Sequence, residues 1–307
     1  MPHLLYSLAV LLILIAAGAR PAAALQVVTT TPGLAALVQA VGGDTLRVTA
    51  IARHTEDPHY VDARPNHLVT LRSADLLVAH GLEYEVGWLP QLQVNARNPR
   101  IQVGGRGYLE VSAFVRLLDV PQGPIDRAMG DLHPGGNPHF TRDPRAMASI
   151  ALGVAERLAE LRPGDAEGFR LRGRAVHDEL LTFAQAQRER FGRIPPDRRR
   201  VIAYHKSLTY LWDWLGLEEV ATLEPRPGIP PNPQHVQEVR RHMQARGVRL
   251  IVQERFYPAR TAQTLASLTG ARLLLLAGDI HFDGGETLIP FFQRVADDLY
   301  THLQEDR

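Results

Sequence analysis

Short apolar segments alternate with amphipathic segments through the first third of the chain. Three apolar runs have the length of strands, and helix-like spacing of apolar residues follows each of them. The predicted strands are Leu25–Thr30, Leu46–Ile51 and Leu76–Ala79, and the predicted helices are Leu34–Val41, Pro65–Arg72 and Leu82–Leu92. This alternation predicts a parallel sheet that is covered by helices on both faces.

The last third of the chain shows the same alternation without repeating the sequence. Its predicted strands are Val201–Tyr204, Val220–Leu223, Leu250–Gln253 and Leu273–Leu276, and its predicted helices are Gln234–Arg246, Ala259–Leu268 and Leu288–Leu303. The segment Pro225–Pro233 carries five prolines, which favours a stiff extended loop. We therefore expect a second lobe of the same class.

Helical sequence separates the two lobes. Pro144–Leu161 has helical periodicity, and Asp165–Phe191 is a longer amphipathic stretch with a strongly charged far side. Its predicted apolar stripe consists of Phe169, Leu171, Val176, Leu180, Leu181 and Phe183. We predict an α/β fold of two lobes, each a parallel sheet flanked by helices, joined by one long rigid helix. The predicted divisions are a signal peptide at 1–24, an N-terminal lobe at 25–162, a connecting helix at 163–193 and a C-terminal lobe at 194–307.

The amino terminus has the composition of a secretory signal. Leu4–Ala17 is almost entirely Leu, Ile, Val and Ala, and Ala22-Ala23-Ala24 fits a cleavage site. The apolar core is short for a membrane span. There is no cysteine to carry a lipid anchor. We expect a cleaved signal and a soluble periplasmic monomer without a lipid anchor, and a net charge of +1 argues against a nucleic-acid partner.

Three histidines occupy positions that suit a metal site. His59 follows the second predicted strand, His139 follows a Gly/Pro-rich turn, and His205 follows the strand Val201–Tyr204. Ligands of open parallel sheets bind beyond the carboxyl ends of the strands. Because the chain has no cysteine, a metal site must use His, Asp and Glu. Zinc accepts three imidazoles and one carboxylate in a tetrahedron, so these positions predict a zinc site.

The predicted fourth ligand is Asp279, the first carboxylate after the last predicted strand. His281, Glu286 or water could take its place. His133 lies in the loop 126–137, close in sequence to His139, where it could be an entry residue or simply polar loop content.

Several motifs resemble those of zinc/manganese-type solute-binding proteins of ABC transporters, over nearly all of the chain after the signal segment. The matching motifs are Asp57-Pro58-His59, Asn137-Pro138-His139-Phe140 with Asp143-Pro144, Ala203–Leu211, Glu224–Pro233 and Thr269–Arg272. The loop 126–137 departs from the zinc branch of that family, which often has a long His- and Asp-rich loop there. His133 is the only histidine of this short loop.

The resemblance implies a function and a set of partners. It places His59, His139 and His205 on the family's three histidine ligands, with the metal in the cleft between the lobes. The implied protein is not an enzyme: it binds Zn²⁺ as transported cargo and delivers it to an ABC permease in the inner membrane. A periplasmic metal-donor protein that loads the site is a further possible partner, and a manganese- or iron-specific member of the family is the nearest alternative.

A secreted metallohydrolase is the alternative from a different class. Such an enzyme needs an open coordination position and a carboxylate base near the metal-bound water. Glu56, Asp57, Glu254 and Asp283 are the acidic residues that could serve as that base. Their spacing gives no support for this role, and the HExxH motif of many zinc hydrolases is absent.

Overall fold

The computed structural model describes residues 23–123, 133–226 and 228–304. The predicted signal peptide lies outside the described residues except for its last two positions, and so does most of the loop 126–137. Within the described ranges, no helix combines the length and the apolar character that a membrane crossing requires.

The first lobe contains a parallel sheet of four strands. The strands are β1 (Leu25–Thr29), β2 (Leu46–Ala50), β3 (Leu76–Ala79) and β4 (Tyr108–Glu110). They are ordered β2-β1-β3-β4, and all neighbouring pairs are parallel. The helices of this lobe are α1 (Pro32–Gly42), α2 (Pro65–Ser73), α3 (Leu89–Ala96) and α4 (Pro144–Leu161). Every residue of β3 is buried, as expected for an inner strand that is covered on both faces.

A single long helix, α5 (Ala166–Gly192), connects the lobes and has 27 residues. Its buried residues form one narrow stripe: Phe169, Gly173, Leu180, Ala184, Gln187 and Phe191. A Cβ on Gly173 would lie 2.6 Å from the Cβ of Ala155, so glycine allows α4 and α5 to pack closely. Leu171 and Leu181, which we predicted in the stripe, are 63% and 39% exposed. Leu171 lies two residues beyond Phe169, about 200° around the helix, and therefore points to solvent.

The second lobe repeats the architecture of the first. Its strands are β5 (Arg200–Ala203), β6 (Glu218–Thr222), β7 (Leu250–Glu254) and β8 (Arg272–Leu276). The order is β6-β5-β7-β8, again with parallel neighbours. Its helices are α6 (Thr209–Leu215), α7 (Pro233–Arg246), α8 (Arg260–Thr269) and α9 (Leu288–Gln304). The predicted fold class of two α/β lobes and a long connecting helix is confirmed.

The two lobes share one hydrophobic core. A continuous cluster includes Leu37 of the first lobe, Phe169 of α5, and Trp214 and Phe292 of the second lobe. Burying a side chain of this size contributes roughly 1.5–3 kcal/mol. The shared core therefore ties both lobes to the connecting helix and fixes the position of the cleft between them.

Two predictions of secondary structure in the first lobe are wrong. The helix expected over Leu82–Leu92 begins only at Leu89, because Leu82 and Glu83 have φ values of 56° and 61° and cannot continue a right-handed helix. Strand β4 is also absent from the prediction, since its three residues are too few to produce a periodic signal.

Candidate metal centre

The structure brings His59, His139 and His205 together in the cleft between the lobes. One potential ligand atom from each histidine lies within 4.8 Å of the other two. Tetrahedral zinc with Zn–N bonds of about 2.0–2.1 Å needs nitrogens about 3.4 Å apart, so a small inward movement of the rings is enough. His59 and His139 come from the first lobe and His205 from the second, and the site is therefore completed only by both lobes.

The two first-lobe histidines are each held by a three-residue turn, and the two turns have the same form. Asp57 Oδ1 accepts hydrogen bonds from the His59 backbone amide at 3.0 Å and from its ring Nδ1 at 2.8 Å. Asn137 Oδ1 accepts the same two bonds from His139, at 3.0 Å and 2.8 Å. The proline between acceptor and histidine restricts the turn further. With Nδ1–H engaged, each ring keeps Nε2 as the atom that can bind a metal.

His205 is held by a contact between two strand ends. It follows β5, and its Nδ1 lies 2.6 Å from Oε2 of Glu224, which follows β6. The same oxygen accepts the Gly228 amide at 3.0 Å and so fixes the start of the proline-rich loop. Both His205 and Glu224 are buried. Sequence reasoning gave Glu224 no role, although it begins the Glu-Pro-Arg-Pro run.

Proton affinities differ among the groups that build the site. Burial, with the neighbouring His59 and His205, holds the pKa of His139 well below its ordinary value. Burial would also lower the pKa of His205, but the hydrogen bond and the charge of Glu224 raise it instead. Burial would raise the pKa of Asp57, yet its bonds to His59 hold it below the usual value. His139 is therefore neutral and ready to coordinate a metal over a wider pH range than His205.

Asn137 also connects the two ligand-bearing turns across the cleft. Its Nδ2 donates to the carbonyl oxygen of Lys206, next to His205, at 2.8 Å. The hydroxyl of Tyr210, from α6 of the second lobe, donates to the Asn137 carbonyl at 2.9 Å. An amide side chain can accept from His139 and donate across the cleft at once, which explains asparagine at this position.

Tyr84, which lies in the loop where a helix was expected, packs against His59 and His139. Its ring is edge-on to His59 and His139, with centroids 4.6 Å and 5.1 Å away. Glu85 anchors this loop by accepting the His80 amide at 2.8 Å, and burial raises the pKa of Glu85 to about 7. The sequence gave no signal for Tyr84, because its position depends on the left-handed residues before it.

Asp279, the predicted fourth ligand, is not part of the histidine group. Its Oδ1 accepts the Ile280 amide at 2.7 Å, and its carboxylate lies against Gly33 at the start of α1, where a Cβ would be 2.9 Å from Oδ1. Burial raises the pKa of Asp279, and nearby Arg142 opposes that shift. Ligation by Asp279 stays a prediction. Among the alternatives, the Glu286 carboxylate accepts the His281 amide at 2.8 Å and also binds Arg294.

His133 lies beside the site, and His54 and His281 lie against each other. The His133 ring centroid is 5.5 Å from that of His59, and its Nδ1 is 2.8 Å from the Leu82 carbonyl oxygen. The rings of His54 and His281, from different lobes, are 4.2 Å apart.

Comparison with known protein families gives one match over most of the chain. A family model described as zinc-uptake complex component A, periplasmic, matches residues 27–301. The metal ABC transporter substrate-binding lipoprotein ScbA of Streptococcus cristatus is 24% identical over 212 residues, 64% of this chain and 64% of ScbA. The match thus reaches just under two thirds of the length of that relative. The iron-binding protein YfeA of Yersinia pestis is 24% identical over 251 residues, 80% of this chain and 75% of YfeA.

A solved structure with the same fold carries zinc. The crystal structure of a zinc-bound ZnuA deletion mutant superposes with a TM-score of 0.77 at 20% identity, and covers 92% of this chain and 100% of that one. At this level of identity the likeness concerns the fold, and two α/β lobes joined by a long helix are common to both.

Proposed function

The chain belongs to the family of periplasmic zinc-uptake complex component A, and we propose that it is the solute-binding component of an ABC transporter that captures Zn²⁺. The observation that carries this proposal is the convergence of three histidines from two lobes on one point. Each histidine has an oxygen acceptor at Nδ1, which is the arrangement that orients imidazole ligands for a metal. The bound ion would be cargo for an inner-membrane permease.

The donor set favours zinc over manganese or iron. Imidazole nitrogen suits zinc, whereas sites that select manganese are richer in carboxylate, carbonyl and water oxygens. Relatives of this chain are named for the binding of iron or manganese, so a manganese- or iron-specific role is the alternative within the family. Competition between Zn²⁺ and Mn²⁺ for the purified protein separates these cases, because a site of three nitrogens should prefer zinc by orders of magnitude.

For the fourth position we propose a water molecule. In the structure the Asp279 carboxylate accepts the Ile280 amide and lies against Gly33 at the start of α1, and it would have to leave this position to reach the metal. Coordination by Asp279, as the sequence predicts, is the alternative. An open position also raises the question of hydrolysis, and the family to which the chain belongs consists of solute-binding proteins. We propose that the chain is not an enzyme.

The test is metal stoichiometry and affinity of the purified protein. We expect one zinc ion per chain, and His205→Ala should weaken binding by orders of magnitude because it removes one of three ligands and the second lobe's only histidine in the group. The matched control is His242→Ala, on the exposed surface of α7 and away from the cleft. Absence of stoichiometric metal at neutral pH, or equal binding by both variants, would refute the proposed site.

The proposal also includes the cellular setting. We propose that the protein acts in the periplasm as a monomer without a lipid anchor, after removal of residues 1–24, and that a periplasmic metal donor can load it. Cell fractionation and mass spectrometry of the protein from cells test this part. The mass of a chain that begins at Leu25 supports the proposal, and the additional mass of a lipid contradicts it.

A further inference from the structure

The loop Ala277–Asp279 of the second lobe is enclosed by three segments of the first lobe, and the proposed metal site uses none of these contacts. The segments are the amino end of α1, the turn after His139 and the loop that carries His54. We propose that this loop is a clasp between the lobes, in which the Asp279 carboxylate caps α1 and Arg142 binds the carbonyl groups beside it.

Helix α1 lacks a cap from its own sequence. The first amides of a helix have no partner inside the helix and need an acceptor from elsewhere. Thr31 precedes α1 but makes no capping bond, because its hydroxyl lies 3.1 Å from Nε2 of His80, and the first turn contains no acidic residue. The Asp279 carboxylate of the opposite lobe lies against Gly33 in this first turn, within 2.9 Å of where a Cβ would be, and is the acceptor that we assign to the helix. Its negative charge is also favoured by the helix dipole at this end.

Gly33 is the residue that permits this approach. A Cβ at this position would lie 2.9 Å from Asp279 Oδ1, closer than real Cβ contacts. The carboxylate is the far end of a side chain that can rotate, so an alanine would displace Asp279 and leave the helix itself intact.

Arg142 holds the same loop from the other side. Its Nη1 donates to the Ala277 carbonyl at 3.4 Å, and its Nη2 donates to the Gly278 carbonyl. Nη2 also lies 3.5 Å from Oε1 of Glu254, a fully buried carboxylate at the end of β7. The Arg142 backbone amide donates to the His139 carbonyl at 3.2 Å, so the clasp is continuous with a predicted metal ligand.

The clasp holds the lobes at the spacing that the three histidines require before any metal arrives. Pre-organisation of this kind strengthens binding because less order has to be created on association. Release of metal by opening the cleft has to break the clasp. This last consequence rests on the proposed function, whereas the clasp itself does not.

The first experiment measures amide hydrogen exchange in the metal-free protein. Loss of a helix cap corresponds to a factor of about five to ten in an equilibrium constant, so Asp279→Ala should speed exchange in the first turn of α1 by that factor. Asp279→Asn keeps an acceptor and should stay within about threefold of the parent, since Asn and Asp cap equally well. Gly33→Ala should resemble Asp279→Ala. Gly192→Ala is the matched helix control, because a Cβ there meets nothing within 4 Å.

The second experiment measures zinc release into excess chelator. With the clasp lost, Asp279→Ala and Gly33→Ala should each release zinc about five to ten times faster, whereas Asp279→Asn should release it nearly as the parent does. Unchanged exchange in α1 of Asp279→Ala overturns the clasp. Equal loss of zinc binding in Asp279→Asn and Asp279→Ala also overturns it, since Asp279 is then a ligand. Failure of the metal proposal is seen separately, as absence of zinc from the parent.

Discussion

The two lobes hold their histidines by different means. In the first lobe, His59 and His139 are each bonded to a side chain two positions earlier, through turns of the same form. In the second lobe, His205 is bonded to Glu224, 19 positions later and on a neighbouring strand end. Three consecutive residues therefore orient each first-lobe histidine, whereas the folded sheet orients His205 of the second lobe.

The partners of the histidines also differ in charge: His139 has a neutral partner, whereas His59 and His205 each have a carboxylate partner. His139 has the neutral amide of Asn137 at Nδ1 and a lowered pKa, and His205 has the Glu224 carboxylate and a raised pKa. A carboxylate partner makes an imidazole a more basic metal ligand, but the same partner also makes the imidazole bind a competing proton more strongly. His139 is thus neutral over a wider pH range than His205, whose availability to a metal depends more strongly on pH.

The largest effect should follow from loss of the second-lobe partner. Glu224→Ala leaves His205 without an oriented Nδ1–H and should weaken zinc binding by about 100-fold, the upper end for such partners. Glu224→Gln keeps an acceptor without the charge and should cost about tenfold. Isothermal titration with zinc measures both.

The control for this pair is Glu218→Gln on β6, because the Glu218 side chain is exposed and pairs with Arg200 and Arg246. Thermal unfolding of the metal-free variants shows that the lobe is intact. If Glu224→Ala bound zinc as tightly as the parent, the fold would orient His205 without Glu224. The difference between the lobes in how they hold their histidines would then not affect the free energy of zinc binding.

The next effect is the dependence of affinity on pH. His205 has a raised pKa, so as the pH falls it is protonated before His139, whose pKa is lowered. Metal binding requires the neutral ring, and affinity should fall by about tenfold per pH unit below the pKa of His205. In Glu224→Gln the pKa of His205 is no longer raised by Glu224, although Glu254 and Asp57 still raise it, so the fall should begin at a lower pH. Identical pH profiles for parent and variant would contradict the assignment.

The contrast also explains which parts of the site the sequence can predict. The motifs Asp57-Pro58-His59 and Asn137-Pro138-His139 contain ligand, restraint and acceptor within three residues, and both histidines can be identified from the chain alone. The strands and helices that carry them are also predictable, because their apolar periodicity is regular.

The tertiary contacts of the site cannot be predicted from any local sequence pattern. Glu224 was visible as part of a motif, but its bond to His205 depends on the pairing of β5 with β6. Tyr84 reaches the ligands through left-handed backbone at the residues before it, which a helical pattern of apolar positions conceals. Asp279 follows a strand as predicted, yet its carboxylate lies against Gly33 at the start of helix α1 in the other lobe.

The smallest effects should come from exchanging the acceptors of the two first-lobe turns. Asp57→Asn keeps an oxygen for both bonds from His59 and should change zinc affinity by no more than about threefold. Only the charge is lost, as in Glu224→Gln, but water screens it better at Asp57, which is 18% exposed, than at Glu224, which is 9% exposed. Asn137→Asp keeps the acceptor but loses the donor to Lys206 and places a carboxylate beside Asp119, 3.1 Å from the present Nδ2. It should cost about tenfold, the value of one lost hydrogen bond with a buried partner left unpaired.

The asymmetry between these two substitutions is the informative quantity. Each changes one atom of a side chain in the same kind of turn, so a difference between them reports on the contacts of Asn137 Nδ2 with Lys206 and Asp119 and not on the turn itself. Affinities from competition with a zinc-sensitive dye are precise enough to separate threefold from tenfold. Equal losses would mean that the two turns act alike, and that the bond from Asn137 to Lys206 contributes nothing to joining the lobes around the metal.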